Sequence, residues 1–292
     1  MRPVRPRRSV LYMPGSNPRA LEKARALPAD ALVLDLEDAV APAAKDEARR
    51  LVLGALAQGG YGHRERIVRV NGPGTPWGAA DLQAVARSGA DAMLLPKVES
   101  PDDVRQAERA LAAAGAPPDL ALWCMIETPR GVLACAAIAA SSPRLAALVA
   151  GTSDLVKDLH ARHTPGRAEV LASLSLLLLA ARAHGLAALD GVHLDLQDET
   201  GFEAACRQGR DLGFDGKTLV HPRTIEAANR IFAPEEGEVA AARRVIAAYE
   251  EARAAGRGVV VVDGRLVEAL HVEEAQRQVA LADAIAARAP AA

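Results

Sequence analysis

Eight short apolar runs punctuate the chain, at residues 9–13 (SVLYM), 31–36 (ALVLDL), 66–70 (RIVRV), 92–96 (AMLLP), 120–126 (LALWCMI), 145–150 (LAALVA), 188–192 (ALDGV) and 217–221 (KTLVH). In most of them the apolar residues are consecutive rather than alternating, so both faces of the strand are destined for burial, as in a parallel sheet. Between nearly all the runs lie Ala- and Arg-rich stretches with helical spacing, such as 18–27, 101–115 and 200–213. Eight such alternations predict the α/β class and a closed (β/α)8 TIM barrel. An open doubly wound sheet is the competing arrangement, and no G-x-G-x-x-G follows the first run to support it. Past the eighth run come a helical stretch at 239–258, a short strand or hairpin and a last helix, more than a closed barrel needs. The pattern therefore predicts a barrel domain over residues 1–232 and a C-terminal helical extension over 233–292, acting as a lid or an oligomer contact.

Composition narrows the class. A length of 292 residues suits one large domain or two ordinary ones, and a hydrophobic content of 50% supplies a substantial core. A net charge of −2, with acids and bases interspersed, argues against a nucleic-acid partner, which a basic excess would announce. No window approaches the roughly 20 apolar residues of a membrane span; the nearest, 171–183, is short and broken by polar residues. The opening MRPVRPRRSVLYMPG is basic and then only briefly apolar, too briefly for a signal-peptide core, and reads as mature protein. Cys124, Cys135 and Cys206 are scattered and form neither a disulfide framework nor a metal-binding spacing. The expectation is a cytoplasmic protein with Cys124 as a small core residue.

Polar residues follow the apolar runs directly. They are Asp35-Leu36-Glu37-Asp38 after the second run, Arg69-Val70-Asn71 after the third and Pro96-Lys97-Val98-Glu99 after the fourth. Glu127-Thr128 follows the fifth, and Gly151-Thr152-Ser153-Asp154 the sixth. These are the carboxyl ends of the strands, where barrel enzymes keep their chemistry. Glu127 and Asp154 are one strand–helix unit apart, and neighbouring strands lie about 4.8 Å apart, so the two side chains can converge. Carboxylates that close repel unless they share a proton or a cation. With oxygen donors, no nearby cysteine and no histidine pair, the expected cation is Mg²⁺, with Mn²⁺ as a substitute. The competing reading has Glu127 cap the helix that begins near Pro129, or pair with an arginine. The planar guanidinium of Arg69 suits a carboxylate, either a substrate's or that of Glu37 or Asp38. The turn Gly151-Thr152-Ser153 would offer backbone N–H groups to a small anion beside the metal.

Several stretches, SVLYMPGSNPRALEKA, ADALVLDLEDAVAPAAKDEAR, VRVNGPGT, LLPKVES, MIETPRGV, AGTSDL, LDGVHLDLQDETGF and GFDGKTLVHPRTIEAAN, spread over roughly residues 8–230. Together they resemble, in order, the citrate lyase β-subunit-like proteins of the HpcH/HpaI aldolase superfamily, a group that includes malyl-CoA lyases. The resemblance implies a (β/α)8 barrel with a C-terminal extension, assembled as a homotrimer or a multiple of it. It implies that Glu127 and Asp154 bind Mg²⁺, and that Arg69 takes part in catalysis by binding the carboxylate of a 2-oxo acid. Asp35, Glu37 and Asp38 would orient Arg69 and metal-bound waters. The implied reaction is carbon–carbon cleavage of a carboxylated 3-hydroxyacyl-CoA such as citryl-CoA or malyl-CoA, giving an acyl-CoA and a 2-oxo acid, or the reverse Claisen-type condensation. Alternatives are a citrate lyase β-subunit using an acyl-carrier-protein thioester, and a barrel that binds CoA esters or 2-oxo acids without turnover.

The chain departs from that family in places. A family pattern resembling D-G-K-M-I-D-x-P reads here Asp263-Gly264-Arg265-Leu266-Val267-Glu268-Ala269-Leu270. Glu268 thus stands where the family places the acid that protonates the enolate carbon from a neighbouring subunit; Asp263 is a weaker candidate, and a solvated charge is the competing reading. Ser173 and Ser175 stand where the family tends to carry arginines. Pyruvate-dependent aldolases have a histidine soon after the strand-2 acids, and DLEDAVAPAAKDEA has none.

Overall fold

A computed structural model describes residues 4–288, which fall into two compact units, one of them Arg7–Arg230. In that unit the strands β1 (Ser9–Pro14), β2 (Ala31–Asp35), β3 (Glu65–Arg69), β4 (Ala92–Leu95), β5 (Ala121–Ile126), β6 (Leu145–Ala150), β7 (Ala187–Asp190) and β8 (Gly216–Leu219) close into a barrel in sequence order. Every pairing is parallel, and β8 returns to β1 through Lys217 opposite Ser9. The helices between them are α1 (Pro18–Ala24), α2 (Lys45–Gln58), α3 (Gly78–Val85), α4 (Pro101–Ala113), α5 (Pro129–Ala139), α6 (Thr152–Asp158), α7 (Leu171–Ala183) and α8 (Glu199–Leu212), and α9 (Ile225–Ile231) follows β8. This is the (β/α)8 fold that the apolar runs predict.

The runs look continuous because two sets of side chains are interleaved. Val10, Val33, Ile67, Leu94, Trp123, Met125, Val149 and Leu189 meet in one buried cluster, with Tyr12 packed against it. These are alternate residues of their strands, the ones that point to the barrel axis. Their neighbours, such as Leu32, Leu34, Val68, Met93, Leu122 and Ile126, are buried as well, under the helices. Carrying the inward parity one step past the cluster gives Asp35, Arg69 and Glu127. The same alternation that fills the barrel therefore places charges at its carboxyl end.

Helix starts are placed close to those strand ends by a repeated device. Asn17, Ser100 and Thr128 each accept a backbone N–H at the head of α1, α4 and α5, and each is followed by proline. A side-chain cap satisfies an otherwise orphaned donor, and proline suits the first helical position because its missing N–H has no partner there anyway. Ser100 and Asp103 complete a reciprocal capping box.

One polar cluster is built into the wall of the barrel. Asp190, with no exposed surface, receives Lys217 Nζ at 2.8 Å and Arg167 Nη1 at 2.8 Å on both oxygens. Arg167 comes from the segment between α6 and α7 and also reaches Gln208 of α8, so the cluster ties that segment to the wall.

Among the described residues, the second unit combines residues 4–6 with residues 231–288. It contains α10 (Glu236–Ala254), the antiparallel hairpin β9 (Val260–Val262) and β10 (Arg265–Val267), and α11 (Ala269–Ala286). Asp263 takes a positive φ of 49° in the hairpin turn and Gly264 one of 77°, matching the Asp-Gly preference of such turns. Among the described residues no helix is long and apolar enough to cross a membrane.

Replacing Asp190 by Asn leaves two buried cations without their counter-charge and should cost about 3–5 kcal/mol, read from urea unfolding. Burial raises the Asp190 pKa, but Lys217 and Arg167 outweigh it, and the net displacement is downward. A carboxylate with a lowered native pKa stabilises the fold above its unfolded value of about 3.9 and loses that contribution as the pH falls further. The variant should therefore unfold with a shallower acid dependence below about pH 4. An unaltered acid limb would show that Asp190 contributes nothing there.

Candidate active site

Arg69 ends β3 and is 7% exposed. Asp35, at the end of β2 and opposite it in register, grips the guanidinium as a fork, with Nε–Oδ1 2.7 Å and Nη2–Oδ2 2.6 Å. The far nitrogen, Nη1, lies 2.9 Å from Glu37 Oε2 and 3.5 Å from Asp38 Oδ2. The guanidinium carbon sits 4.8 Å from the centre of the Tyr12 ring, a favourable cation–π distance. Asp35, Glu37 and Asp38 thus surround Arg69.

Asp35 also shapes the loop after β2. Its Oδ1 accepts the Glu37 N–H at 2.9 Å and its Oδ2 the Ala39 N–H at 3.0 Å, a local turn that Asp side chains favour. Lys45 Nζ donates to the Leu36 and Glu37 carbonyls, and Asn71 Nδ2 to Leu36. The loop is pinned from three sides, which fixes where Glu37 points.

Glu127 follows β5 and is 1% exposed. Its Oε1 accepts the Lys97 N–H at 2.7 Å, while Oε2 has no hydrogen bond among the described residues. Burial pushes its pKa up to about 7; the charges of Glu37 and Asp154 add to the rise, and Lys97 opposes it. The helix that begins at Pro129 is capped by Thr128, whose Oγ1 accepts the Gly131 N–H, so Glu127 is not its cap. No salt bridge to an arginine holds it among the described residues either.

Asp154 comes from the first turn of α6 rather than from the strand itself, and it is half-buried. Gly151 is the N-cap of that helix, and its own N–H is committed to the Ile126 carbonyl at 3.0 Å. The expected anion-binding turn is therefore narrower than Gly151-Thr152-Ser153 suggests. The N–H groups of the first helical turn have no intrahelical acceptor, and Ser153 Oγ is buried without a hydrogen-bond partner among the described residues. Gly151 has a steric duty instead. A Cβ there would lie 2.2 Å from Glu127 Cβ and 2.7 Å from Glu127 Oε2, so only glycine lets the two strand ends close with the carboxylate in place.

These residues fit a hard divalent cation. Asp35, Glu37, Asp38, Glu127 and Asp154 outnumber the nearby bases Arg69, Lys97, Lys45 and Lys157, and Glu127 presents a free carboxylate oxygen. No group of three His, Cys, Asp or Glu side chains forms a metal cage among the described residues. A cation here would be held by Glu127 and Asp154, with water or ligand oxygens completing the octahedron, as is usual for Mg²⁺. Glu268 lies in the other unit, exposed at the head of α11, its N–H bonded to His271 Nδ1 at 3.0 Å.

Two further residues take part in this arrangement in ways that a reading of strand ends alone does not show. Lys97, after β4, bonds Glu37 Oε1 through Nζ at 2.7 Å while its N–H holds Glu127. Tyr12 offers the ring under Arg69. Both stand at the ends of apolar runs, but their roles depend on backbone conformation and on barrel closure.

The HpcH/HpaI aldolase/citrate lyase family model matches residues 8–222. A (3S)-malyl-CoA thioesterase of Cereibacter sphaeroides (strain KD131 / KCTC 12085) is 55% identical, over 97% of this chain and 96% of that protein. The citrate lyase subunit beta of Escherichia coli (strain K12) is 39% identical, over 94% and 93%. Among solved structures, protein CitE from Mycobacterium tuberculosis in complex with magnesium, acetoacetate and coenzyme A superposes with a TM-score of 0.76 at 31% identity, over 97% of this chain and 100% of that one.

Gly151→Ala should displace the Glu127 carboxylate and weaken divalent-cation binding about tenfold or more in calorimetry, the scale expected when a metal ligand loses its support. Unchanged affinity would mean that Glu127 is not a ligand.

Proposed function

The chain belongs to the HpcH/HpaI aldolase/citrate lyase family, and from that premise we propose that it is a Mg²⁺-dependent enzyme acting on a carboxylated 3-hydroxyacyl-CoA thioester, with (3S)-malyl-CoA as the first substrate to test. The carrying observation is the pairing of a buried carboxylate that has a free oxygen, Glu127, with a guanidinium fixed nearby by Asp35. One half suits a dication and the other a substrate carboxylate.

Thioester hydrolysis, to the free acid and the CoA thiol, is the leading reaction, supported by thioesterase relatives that align over nearly the whole chain at 52–55% identity. Carbon–carbon cleavage into an acyl-CoA and a 2-oxo acid is the second reading, supported by the citrate lyase relatives and by a solved neighbour complexed with oxaloacetate and magnesium. In both, Glu127 and Asp154 hold the cation, which when bound supplies Lewis-acid polarisation and neutralises local charge. Arg69 takes the substrate carboxylate at Nη1, whose present partners, Glu37 and Asp38, are single contacts, while Asp35 keeps the guanidinium oriented from behind. Tyr12 covers the ring-facing side and excludes water from it. Cleavage further requires a proton delivered to the enolate carbon, and Glu268 of a neighbouring subunit is our candidate for that step.

Incubation with Mg²⁺ and (3S)-malyl-CoA separates the readings: malate with free thiol marks hydrolysis, and glyoxylate with acetyl-CoA marks cleavage. Consumption of no CoA or carrier-protein thioester would leave a binding barrel. Glu127→Gln and Asp154→Asn should each lower Mg²⁺-dependent turnover about a hundredfold or more with an unchanged melting transition. Arg69→Ala should weaken oxo-acid binding more than Mg²⁺ binding. An unchanged rate in Glu268→Ala would remove that residue from the reaction.

A further inference from the structure

Lys97 adopts a φ of 49°, in the left-handed region that few non-glycine residues enter. Such strain persists where the surroundings over-determine the backbone, and it gathers at functional sites. Here the conformation lets one residue touch both acids of the mouth: its N–H reaches Glu127 Oε1 and its Nζ reaches Glu37 Oε1, each at 2.7 Å. Arg69 is locked by a fork and two further carboxylates, with its side chain 8% exposed. The Lys97 side chain is 46% exposed, and Glu37 is the one acceptor its Nζ has among the described residues. Of the two cations that touch Glu37, Lys97 is the more exposed and is held by a single carboxylate, so a ligand that displaces one ion pair can reach it.

We propose that the Lys97 ammonium is a catalytic contact to the thioester oxygen, taking up the negative charge that develops there; this rests on the function proposed above. In hydrolysis, water oxygen bonds to the carbonyl carbon and the C=O pair moves onto the thioester oxygen. It returns as the C–S bond breaks, and a water proton ends on the departing thiolate. In cleavage, the hydroxyl loses its proton and its oxygen becomes a carbonyl. The C–C pair passes into an enolate whose charge sits on the same thioester oxygen, until carbon takes up a proton. In both, Lys97 keeps its own proton throughout.

The test compares full-length wild type, Lys97→Met and Lys97→Arg with (3S)-malyl-CoA, and measures Mg²⁺ binding by calorimetry. Methionine has similar length and would occupy the same backbone conformation, which isolates the charge. Lys97→Met should lower kcat about 10²–10³-fold, the cost of losing an oxyanion donor. KM and the Mg²⁺ Kd should stay within about threefold, and Lys97→Arg should recover about tenfold or more of the lost rate. A Lys97→Met enzyme with wild-type kcat overturns this assignment alone. Mg²⁺ affinity falling in step with rate overturns it too, making Lys97 a positioning residue for Glu127. A wild type that turns over no thioester fails the proposed function, and this inference falls with it.

Discussion

Arg69 is the side chain on which the mouth of the barrel is assembled. A guanidinium at the inner end of a parallel strand is tolerable only when fully paired, because an uncompensated buried charge costs several kcal/mol. Asp35 supplies the fork, and strand register leaves little choice: residues 35 and 69 are Cα partners between β2 and β3. The consequences pass along the chain. Asp35 bends the next four residues around its own oxygens, the bend aims Glu37 at Nη1, and Glu37 in turn holds Lys97, whose backbone bonds Glu127. One buried cation thus sets, through five contacts, the direction of an acid on the second strand away.

That chain leaves charge unbalanced in a useful direction. Glu37 and Glu127 both have raised pKa values, burial being the first cause in each, with neighbouring acids adding to it. A site that holds carboxylates against their preference for water is stabilised by whatever positive charge enters it, and a small dication delivers the most charge in the least space. Gly151 belongs to the same argument. By removing a Cβ it lets β6 approach Glu127 closely, so the carboxylate is confined between two backbones instead of turning out to solvent. Confinement costs little when the ligand comes, because the group has no freedom left to lose.

The fold was legible because both faces of the strands are buried, which makes each an unbroken apolar word. The same property hid the inward and outward sets, and only barrel closure separates Val33 and Asp35 from Leu34. Glu127, Asp154 and Arg69 could be picked out because each is a charge at the end of such a word. Lys97 has the same signal, yet its importance lies in a positive φ and in a backbone N–H, which no residue type announces. Asp190, Lys217 and Arg167 were missed for another reason. They are spread over 51 positions (167 to 217), and two of the three lie inside runs that read as ordinary strand. The extent of the anion-binding turn was misjudged because the strand ladder claims the Gly151 N–H.

Another forked pair of the barrel, also stacked on a ring, sharpens what is special about the first. Arg7 grips Glu65 with Nε and Nη2 at 2.6 and 2.9 Å, and its guanidinium lies 5.1 Å from the centre of the Trp123 ring. Arg69 grips Asp35 with the same two nitrogens over the ring of Tyr12. Glu65 opens β3 and Arg69 closes it, so the two forks stand at opposite ends of one strand, each stacked on an aromatic ring that fills the axis. Stacking and forking are therefore general means by which this barrel seals charge inside itself. Glu65 and Arg7 meet at the amino ends of the strands, where barrel architecture serves stability. What distinguishes the carboxyl end is the surplus: after Asp35 has satisfied Arg69, four more carboxylates remain within the same neighbourhood, one of them with an open oxygen. A fold seeking stability alone would have stopped at the fork.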